Sequence, residues 1–252
     1  MSFYKRQAKK ATSLPNDFKL GSLFKELYLQ FEALPGYKTD WKILKAVDFG
    51  VAQKRERLII IGSRISDPKA IFNEIESKIK WTDPNTNSID KKPWRTLRDA
   101  LSGLNDTQQE FISFSPSLAR YLKYVPPGGC WVNLPKRIQK RAMGGALDSN
   151  DPHKKGKQGG RRAFFRRLSW DRPCPTLVKS PVHKGTCLCH PDELRPLSVK
   201  EYAKIQGFPN QWEFVGSTKQ KYRMIGEAVP IELARLIGKV IKKRIDIRYK
   251  FQ

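Results

Sequence analysis

Residues 47–64 contain the stretch that most constrains the fold, because a polar alternation runs directly into an apolar tail. Gln53, Arg55 and Arg57 occupy every second position, so an extended backbone places their side chains on one face. Residues 58–61 are apolar and would bury the far end of the strand. We therefore predict a turn that leads into a strand with three hydrogen-bonding side chains on one face.

The opposite face of this strand would carry Lys54 and Glu56. A row of guanidinium groups suits an anionic or hydrogen-bond-rich partner, because each group offers paired donors that match phosphate or the edge of a base. The alternative interpretation is an edge strand with a solvated basic face, which is what periodicity alone favours.

The charge composition indicates the class of partner. The 252 residues include 49 Lys and Arg against 24 Asp and Glu, a formal net charge of +25, and the excess is spread from end to end. Because such a surplus repels itself in the folded state, a polyanion is expected to supply the missing charge. Nucleic acid is the default partner and a membrane surface is its rival. The sequence shows no transmembrane run and no signal peptide, which favours an intracellular protein without a membrane partner.

Helix and strand patterns follow one another along the first part of the chain. Apolar residues at helical spacing predict an amphipathic helix over residues 20–34. Residues 38–47 have strand character and form a plausible strand pair with residues 58–61. Asp67-Pro68 is a typical helix start.

The last third of the chain has equally clear signals. Residues 198–201 form a capping-box pattern that opens a helix, and Gly207 closes it. Pro230 is expected at the first position of a final helix. Residues 222–230 are predicted to form a short loop, in which Gly226 either permits close approach to a ligand or makes a structural turn.

Residues 143–162 are rich in glycine and basic residues and poor in apolar ones. Such a segment is typical of a loop that orders on DNA or RNA, and an ordinary solvated linker is the open alternative.

Four stretches occur in a fixed order: QKRERLIIIGSR, RRLSWDRPCPTL, RPLSVKEYAKIQGFPNQWEF and KYRMIGEAVP. Together they resemble motif eight, the end of the target-recognition region, motif nine and motif ten of bacterial DNA (cytosine-5) methyltransferases. The resemblance covers nearly the whole chain from about Leu20.

The resemblance implies an α/β fold in which an incomplete, Rossmann-like methyltransferase portion occurs at both ends, with a small, irregular recognition domain between them. Residues 1–64 would supply the last strands and a helix of the catalytic domain. Residues 65–194 would form the target-recognition domain, and residues 195–252 would carry motifs nine and ten back to the catalytic domain.

The resemblance also assigns catalytic roles. It implies that Arg57 lies near cytosine O2 and that Arg55 lies near the catalytic loop or a backbone phosphate. Gln53 would brace the two arginines.

Motif ten of the family packs against S-adenosylmethionine, so the resemblance implies that Gly226, Glu227, Ala228 and Val229 line a pocket shared with a partner chain. The family usually has asparagine at the position of Glu227 and proline at the position of Ala52. An acid near the carboxylate of the cofactor would weaken binding by repulsion, unless Glu227 meets a cationic group on the partner.

Reading of double-stranded DNA would fall to the segment between the motifs. Four arginines are the candidates for phosphate or guanine contacts: Arg161, Arg162, Arg166 and Arg167. For any single arginine, generic phosphate anchoring is the alternative.

The earlier motifs of the family are not found: a glycine-rich turn, a Pro-Cys-Gln loop with the nucleophile, and a Glu-Asn-Val segment. The dipeptide Pro173-Cys174 lies in the recognition region and is not expected to be the nucleophile. Since the chain starts at Met1, where the sixth motif would have ended, we predict one subunit of a split, heterodimeric enzyme in the bacterial cytoplasm, at the nucleoid. The alternative is a non-catalytic DNA-binding module, either a relic of a truncated enzyme or a specificity factor.

The four cysteines are too few for a disulfide framework and are expected to be reduced. Cys187, Cys189 and His190 invite a zinc interpretation, with His183 as the nearest fourth ligand. Without a second spaced pair, we predict no metal site.

Overall fold

The computed structural model describes residues 22–86, 88–143 and 164–249. These residues form eight α-helices: α1 Ser22–Glu32, α2 Pro68–Glu76, α3 Leu97–Leu101, α4 Pro116–Leu122, α5 Lys136–Met143, α6 Val199–Gln206, α7 Thr218–Glu227 and α8 Ile231–Tyr249. The predicted amphipathic helix corresponds to α1, and its expected first residues lie outside the described part of the chain.

Six short strands accompany the helices: β1 Lys38–Lys45, β2 Gln53–Lys54, β3 Glu56–Ser63, β4 Trp81–Thr82, β5 Lys92–Pro93 and β6 Cys174–Pro175. They pair two by two, as β1 with β3, β2 with β6 and β4 with β5. The predicted strand pair is therefore confirmed as β1 and β3. Because β2 and β6 are parallel, with Gln53 opposite Cys174, the polar alternation lies beside the recognition-region motif.

The predicted helix ends are confirmed where a capping group was readable. The Asp67 side chain accepts a hydrogen bond from the backbone N–H of Lys69 at 3.1 Å and starts α2. Ser198 and Glu201 form the capping box of α6, and Gly207 ends that helix with a φ of 92°.

The predicted loop at residues 222–230 is wrong, because helix α7 continues through Glu227. Ser217 and Gln220 form a capping box at its start, a signal that lies upstream of the motif. Pro230 precedes α8 by one residue.

One compact unit comprises residues 22–43, 58–77 and 238–249 of the described chain. The Phe24 ring of α1 packs edge-on against Trp41 of β1, with centroids 4.8 Å apart. Glu74 of α2 receives Lys243 Nζ at 3.0 Å and Arg244 Nη2 at 2.6 Å from α8. These two cations, Lys243 first, lower the pKa of Glu74. The first and last thirds of the chain therefore meet in this unit.

The second compact unit comprises residues 44–57 and 78–237. It contains two apolar clusters in the described residues. The first cluster is built around α3, α6 and α7, and its fully buried members include Leu177, Leu197, Tyr202, Tyr222 and Ile225. The second is built around α4 and α5, and its buried members include Leu122, Trp131, Phe165, Cys187 and Cys189. The domain boundaries predicted from the motifs stay a prediction.

Within the described residues, no helix is both long and apolar enough to span a membrane.

Candidate functional site

The polar alternation of motif eight is followed by an alternation of burial. Gln53 and Arg55 are 0% and 2% exposed, and Arg57 is half-buried. Lys54 and Glu56 face solvent on the other side. The predicted single strand is wrong, because it breaks at Arg55 into β2 and β3, and the backbone N–H of Arg55 donates to the carbonyl oxygen of Gln53 at 2.9 Å. Of the three side chains, only Arg57 retains access to a ligand.

Arg55 joins two segments that are far apart in the sequence. Its Nη1 donates to the carbonyl oxygen of Leu177 at 2.9 Å, and its Nη2 donates to the carbonyl oxygen of Gly226 at 2.8 Å. The Nη1 to Gln53 Oε1 distance of 3.5 Å is too long for a strong bond, and Arg55 Nε has no partner among the described residues. Because the buried guanidinium donates to carbonyl groups of its own chain, Arg55 fixes both segments in place.

Two buried glutamine side chains, Gln53 and Gln206, connect β2 to the predicted cofactor segment. The backbone N–H of Leu177 donates to Gln53 Oε1 at 3.1 Å, and Gln53 Nε2 donates to Gln206 Oε1 at 2.6 Å. Gln206 Nε2 then donates to the carbonyl oxygen of Ala228 at 2.6 Å. Both side chains are 0% exposed, so this pair, Gln53 and Gln206, forms a chain of hydrogen bonds with one direction.

Gly226 is necessary for close packing within the chain. It lies in α7, and a Cβ atom there would be 2.6 Å from the backbone carbon and oxygen of Val178. Of the two interpretations offered by the sequence, the structural turn is therefore wrong, because Gly226 is helical. The close approach is made by the backbone of residues 178–179, and contact of Gly226 with a cofactor stays a prediction.

Glu227 and Val229 face outward from the same segment. Glu227 is exposed and pairs with Lys179 Nζ at 2.6 Å and Arg223 Nε at 3.2 Å. These hydrogen bonds, Lys179 first, lower the pKa of Glu227, so the side chain is ionised and its charge is offset by cations of this same chain. Val229 is 41% exposed. The segment therefore presents an accessible apolar side chain, Val229, beside an ionised acid whose charge is offset by two cations.

Arg57 has a different environment from Arg55. Its Nη1 donates to the carbonyl oxygen of Glu56, the preceding residue, at 2.8 Å. Burial lowers the pKa of Arg57 from its ordinary value, although a guanidinium remains protonated at neutral pH. A charged, half-buried donor of this kind can bind a group on which negative charge develops.

The sequence matches a known protein family over most of its length. Residues 16–243 match the family described as C-5 cytosine-specific DNA methylase. The chain belongs to this family. The resemblance inferred from the four motifs is therefore confirmed at the level of the family.

Curated type II methyltransferases of bacteria are among its relatives. The type II methyltransferase M.Sau96I of Staphylococcus aureus is 42% identical over 214 residues, which cover 85% of this chain and 45% of that protein. The type II methyltransferase M.Eco47II of Escherichia coli is 39% identical over 211 residues, 81% of this chain and 46% of that protein. The chain thus spans about half the length of the curated relatives it matches.

A solved methyltransferase structure shows the same fold. The Dnmt2 methyltransferase of S. pombe has a TM-score of 0.50 and 12% identity, over 91% of this chain and 64% of that one. The expectation of a mixed α/β methyltransferase fold is confirmed at this level.

Cys174 lacks the surroundings of the methylase nucleophile. It lies in β6 and is 1% exposed, and burial raises the pKa of its thiol to about 12. A catalytic cysteine must reach the thiolate form, which this environment opposes. The sequence-based exclusion of Cys174 as the nucleophile is therefore supported by its geometry.

Two further buried cysteines, Cys187 and Cys189, are also held as thiols. Burial raises the pKa of Cys187 to about 12 and that of Cys189 to about 11. Cys187 Sγ donates to the carbonyl oxygen of Arg166 at 3.2 Å, and the Nδ1 atom of His190 accepts from backbone N–H groups. Across the described ranges, no group of three or more potential ligands is placed to hold a metal ion.

Thiol labelling should separate these cysteines. With an aromatic disulfide reagent at pH 8, we expect partly exposed Cys130 to react first, and the three buried thiols about a thousandfold more slowly. Absorbance of the released thiolate measures both phases, and Cys130→Ser should remove the fast one. Rapid labelling of Cys174 would contradict its assignment as a buried neutral thiol.

The predicted DNA contacts have different environments. Arg161 and Arg162 lie outside the described residues. Arg166 is half-exposed, whereas Arg167 is 8% exposed and donates to the carbonyl oxygens of Pro191 and Leu122 at 3.2 Å. This geometry favours a structural role for Arg167, and its DNA contact stays a prediction.

Two features were missed by sequence reasoning. Gln206 is a polar residue on the buried side of α6, and its two partners, Gln53 and Ala228, are too distant in the sequence for local patterns to reveal. The second feature is helix α5, whose sequence KRIQKRAM contains four cations and no acidic residue. This basic run could have been recognised beside residues 143–162, which were predicted to order on DNA or RNA.

Proposed function

We propose that this chain is the subunit of a DNA (cytosine-5) methyltransferase that recognises a DNA sequence and completes the active site. The nucleophilic cysteine and most of the S-adenosylmethionine pocket would belong to a second polypeptide carrying the first six motifs. The observation that carries the proposal is the burial of Cys174. A member of this family that keeps its only Pro-Cys thiol neutral and buried needs its attacking sulfur from elsewhere.

The chemistry explains the part assigned to Arg57. Cytosine C5 becomes nucleophilic only after a thiolate adds to C6, and negative charge then builds on N3 and O2 of a base turned out of the duplex. A guanidinium near O2 donates where this charge develops, and such donors are typically worth a few kcal/mol. Arg57 is accessible enough for this role. Arg55 and Gln53 are buried and would hold other segments of the chain in place.

Residues 226–229, at the end of α7, fit a zwitterionic, partly apolar cofactor. Val229 offers an exposed apolar contact, and the repulsion expected from Glu227 is offset by Lys179 and Arg223. When bound, S-adenosylmethionine supplies the methyl group for C5. Residues 226–229 of this chain would hold one side of it, and the second polypeptide would hold the other.

An apolar surface on the first compact unit suits the second polypeptide. Leu23 and Leu27 lie one turn apart on one face of α1 and are 77% and 43% exposed, and Ile43 of β1 is 57% exposed. Exposed apolar side chains that share a helix face are typical of an interaction site. We propose that the complementary half of the methyltransferase covers them.

Helix α5 is the proposed contact with the DNA backbone. Ala142 and Met143 anchor it in the second apolar cluster, and Gln139 Nε2 donates to the carbonyl oxygen of Leu134 at 2.8 Å. The helix thereby presents a set of exposed cations: Lys136, Arg137, Lys140 and Arg141. Cations fixed on a helix can neutralise phosphates without reading sequence.

The double variant Arg137→Ala/Arg141→Ala should bind duplex DNA more weakly. Because each phosphate contact releases a counterion, we expect the slope of log affinity against log salt to fall by about two. Fluorescence anisotropy at several salt concentrations measures the slope. Arg235→Ala is the control, since that exposed arginine pairs with Glu232 on α8. An unchanged slope in the double variant would remove α5 from the interface.

Reconstitution tests the proposed function itself. The chain is mixed with a polypeptide carrying the glycine-rich, Pro-Cys and Glu-Asn-Val motifs, labelled S-adenosylmethionine and DNA, and transfer is counted. We expect transfer from the mixture and none from either chain alone. Methylation by the purified chain alone would refute the split enzyme. DNA binding without transfer in any mixture would favour a non-catalytic DNA-binding module.

A further inference from the structure

We infer that Gln206 is a positioning residue that holds residues 226–229 in the orientation that receives the cofactor. This inference rests on the proposed function. Its structural basis is that the side-chain amide of Gln206 is the link between Gln53 and the carbonyl oxygen of Ala228.

The need for such a link comes from the end of helix α7. The last carbonyl groups of an α-helix have no partner within the helix and must be satisfied from outside. Gly226 is in the last turn of α7, and Ala228 is the residue that follows its end. Arg55 supplies a donor to Gly226 at 2.8 Å and Gln206 supplies one to Ala228 at 2.6 Å.

These two anchors determine which side chains face outward. They hold carbonyl groups two residues apart, and the Glu227 side chain between them points to solvent with its two cations. Val229 follows the second anchor and is 41% exposed. The buried donors therefore fix the backbone from inside, while the outer surface of the segment stays accessible to a ligand.

The glutamine pair also has a fixed direction. Gln53 Oε1 accepts from the backbone N–H of Leu177, so its Nε2 must donate, and it donates to Gln206 Oε1. The Nε2 of Gln206 is then the atom that reaches Ala228. If either amide were flipped, donors would face donors in a site without solvent. Two glutamines with 0% exposure thus specify a single arrangement of the segment.

Two variants test the role of Gln206. Gln206→Leu removes the donor, and we expect the reconstituted enzyme to bind S-adenosylmethionine about tenfold more weakly by calorimetry. Gln206→Glu keeps the acceptor for Gln53 but places a carboxylate against the carbonyl oxygen of Ala228. Because burial raises the pKa of a carboxyl group, protonation restores a donor at low pH. Affinity of Gln206→Glu should therefore recover as the pH falls, and affinity of Gln206→Leu should not.

Ile205→Val is the matched control, because Ile205 is the neighbouring buried residue of α6 at 2% exposure. It should lower the melting temperature without changing cofactor affinity. The inference fails if Gln206→Leu binds the cofactor like the wild type, or if Ile205→Val loses affinity in proportion to its melting temperature.

Amide hydrogen exchange on the purified chain separates this inference from the proposed function. Residues 226–229 should exchange faster in Gln206→Leu than in Ile205→Val, with no cofactor or partner present. If the wild-type mixture does not bind the cofactor, the proposed function fails. The exchange rates still test whether Gln206 holds residues 226–229 in place, because they need no cofactor. Equal exchange rates in the two variants would refute positioning by Gln206.

Discussion

Arg57→Ala should reduce methyl transfer by the reconstituted enzyme about 100- to 1000-fold, the usual effect of removing one donor to a developing negative charge. Stability should change by less than about 1 kcal/mol, because the side chain is half-buried and its hydrogen bond is to the adjacent residue. Single-turnover transfer of labelled methyl groups measures the first effect, and urea unfolding measures the second.

Lys54→Ala is the control for this experiment. Lys54 belongs to the same alternation but faces solvent, with its Nζ 5.0 Å from the centre of the Trp94 ring. It should leave transfer within about twofold of the wild type, because its side chain is exposed and contacts neither of the segments that Arg55 joins. Unchanged turnover in Arg57→Ala would remove the main catalytic assignment.

Gly226→Ala should lower the free energy of unfolding by about 3 kcal/mol, because its Cβ would lie 2.6 Å from backbone atoms of Val178. Backbone atoms cannot move aside as a flexible side chain can, so α7 must shift. Since Arg55 donates to the carbonyl oxygen of Gly226, the shift should also disturb the cofactor segment. Urea unfolding of the purified chain measures the loss.

Gly238→Ala is the matched substitution, because a Cβ at this helical glycine of α8 meets nothing within 4 Å. It should raise the free energy of unfolding by about 0.5 to 1 kcal/mol, the difference in helix propensity between the two residues. Equal effects of the two substitutions would show that the approach of residues 178–179 to Gly226 is not constraining.

Local signals predicted local structure correctly. The alternation of residues 53–57 predicted which side chains are buried, although the strand itself is broken at Arg55 into β2 and β3, which pair with different strands. The bounds of α6 were predicted from its two caps, the Ser198–Glu201 capping box and Gly207, because each cap acts within one turn of the helix. The motif order gave the family, which the match over residues 16–243 confirms.

Long-range contacts were not predictable in the same way. A loop was predicted at residues 222–230 around Gly226, whereas the segment is helical through Glu227 and its glycine is required by the close approach of residues 178–179. Arg167 was predicted to contact DNA because it lies among other arginines. Its guanidinium instead donates to carbonyl oxygens of two distant segments, at Pro191 and Leu122. The partners that bury Arg55 and Arg167 lie more than 20 positions away, and a single sequence does not display them.

The contacts of Glu74 bear on the order in which the chain folds during synthesis. Its partner Arg244 follows it by 170 residues, so the ribosome must add all of them before the pair can form. At the usual speed of translation this takes about 10 to 30 seconds. Helix α2 therefore emerges long before α8, and the compact unit to which both belong closes after residues 78–237 have had time to fold.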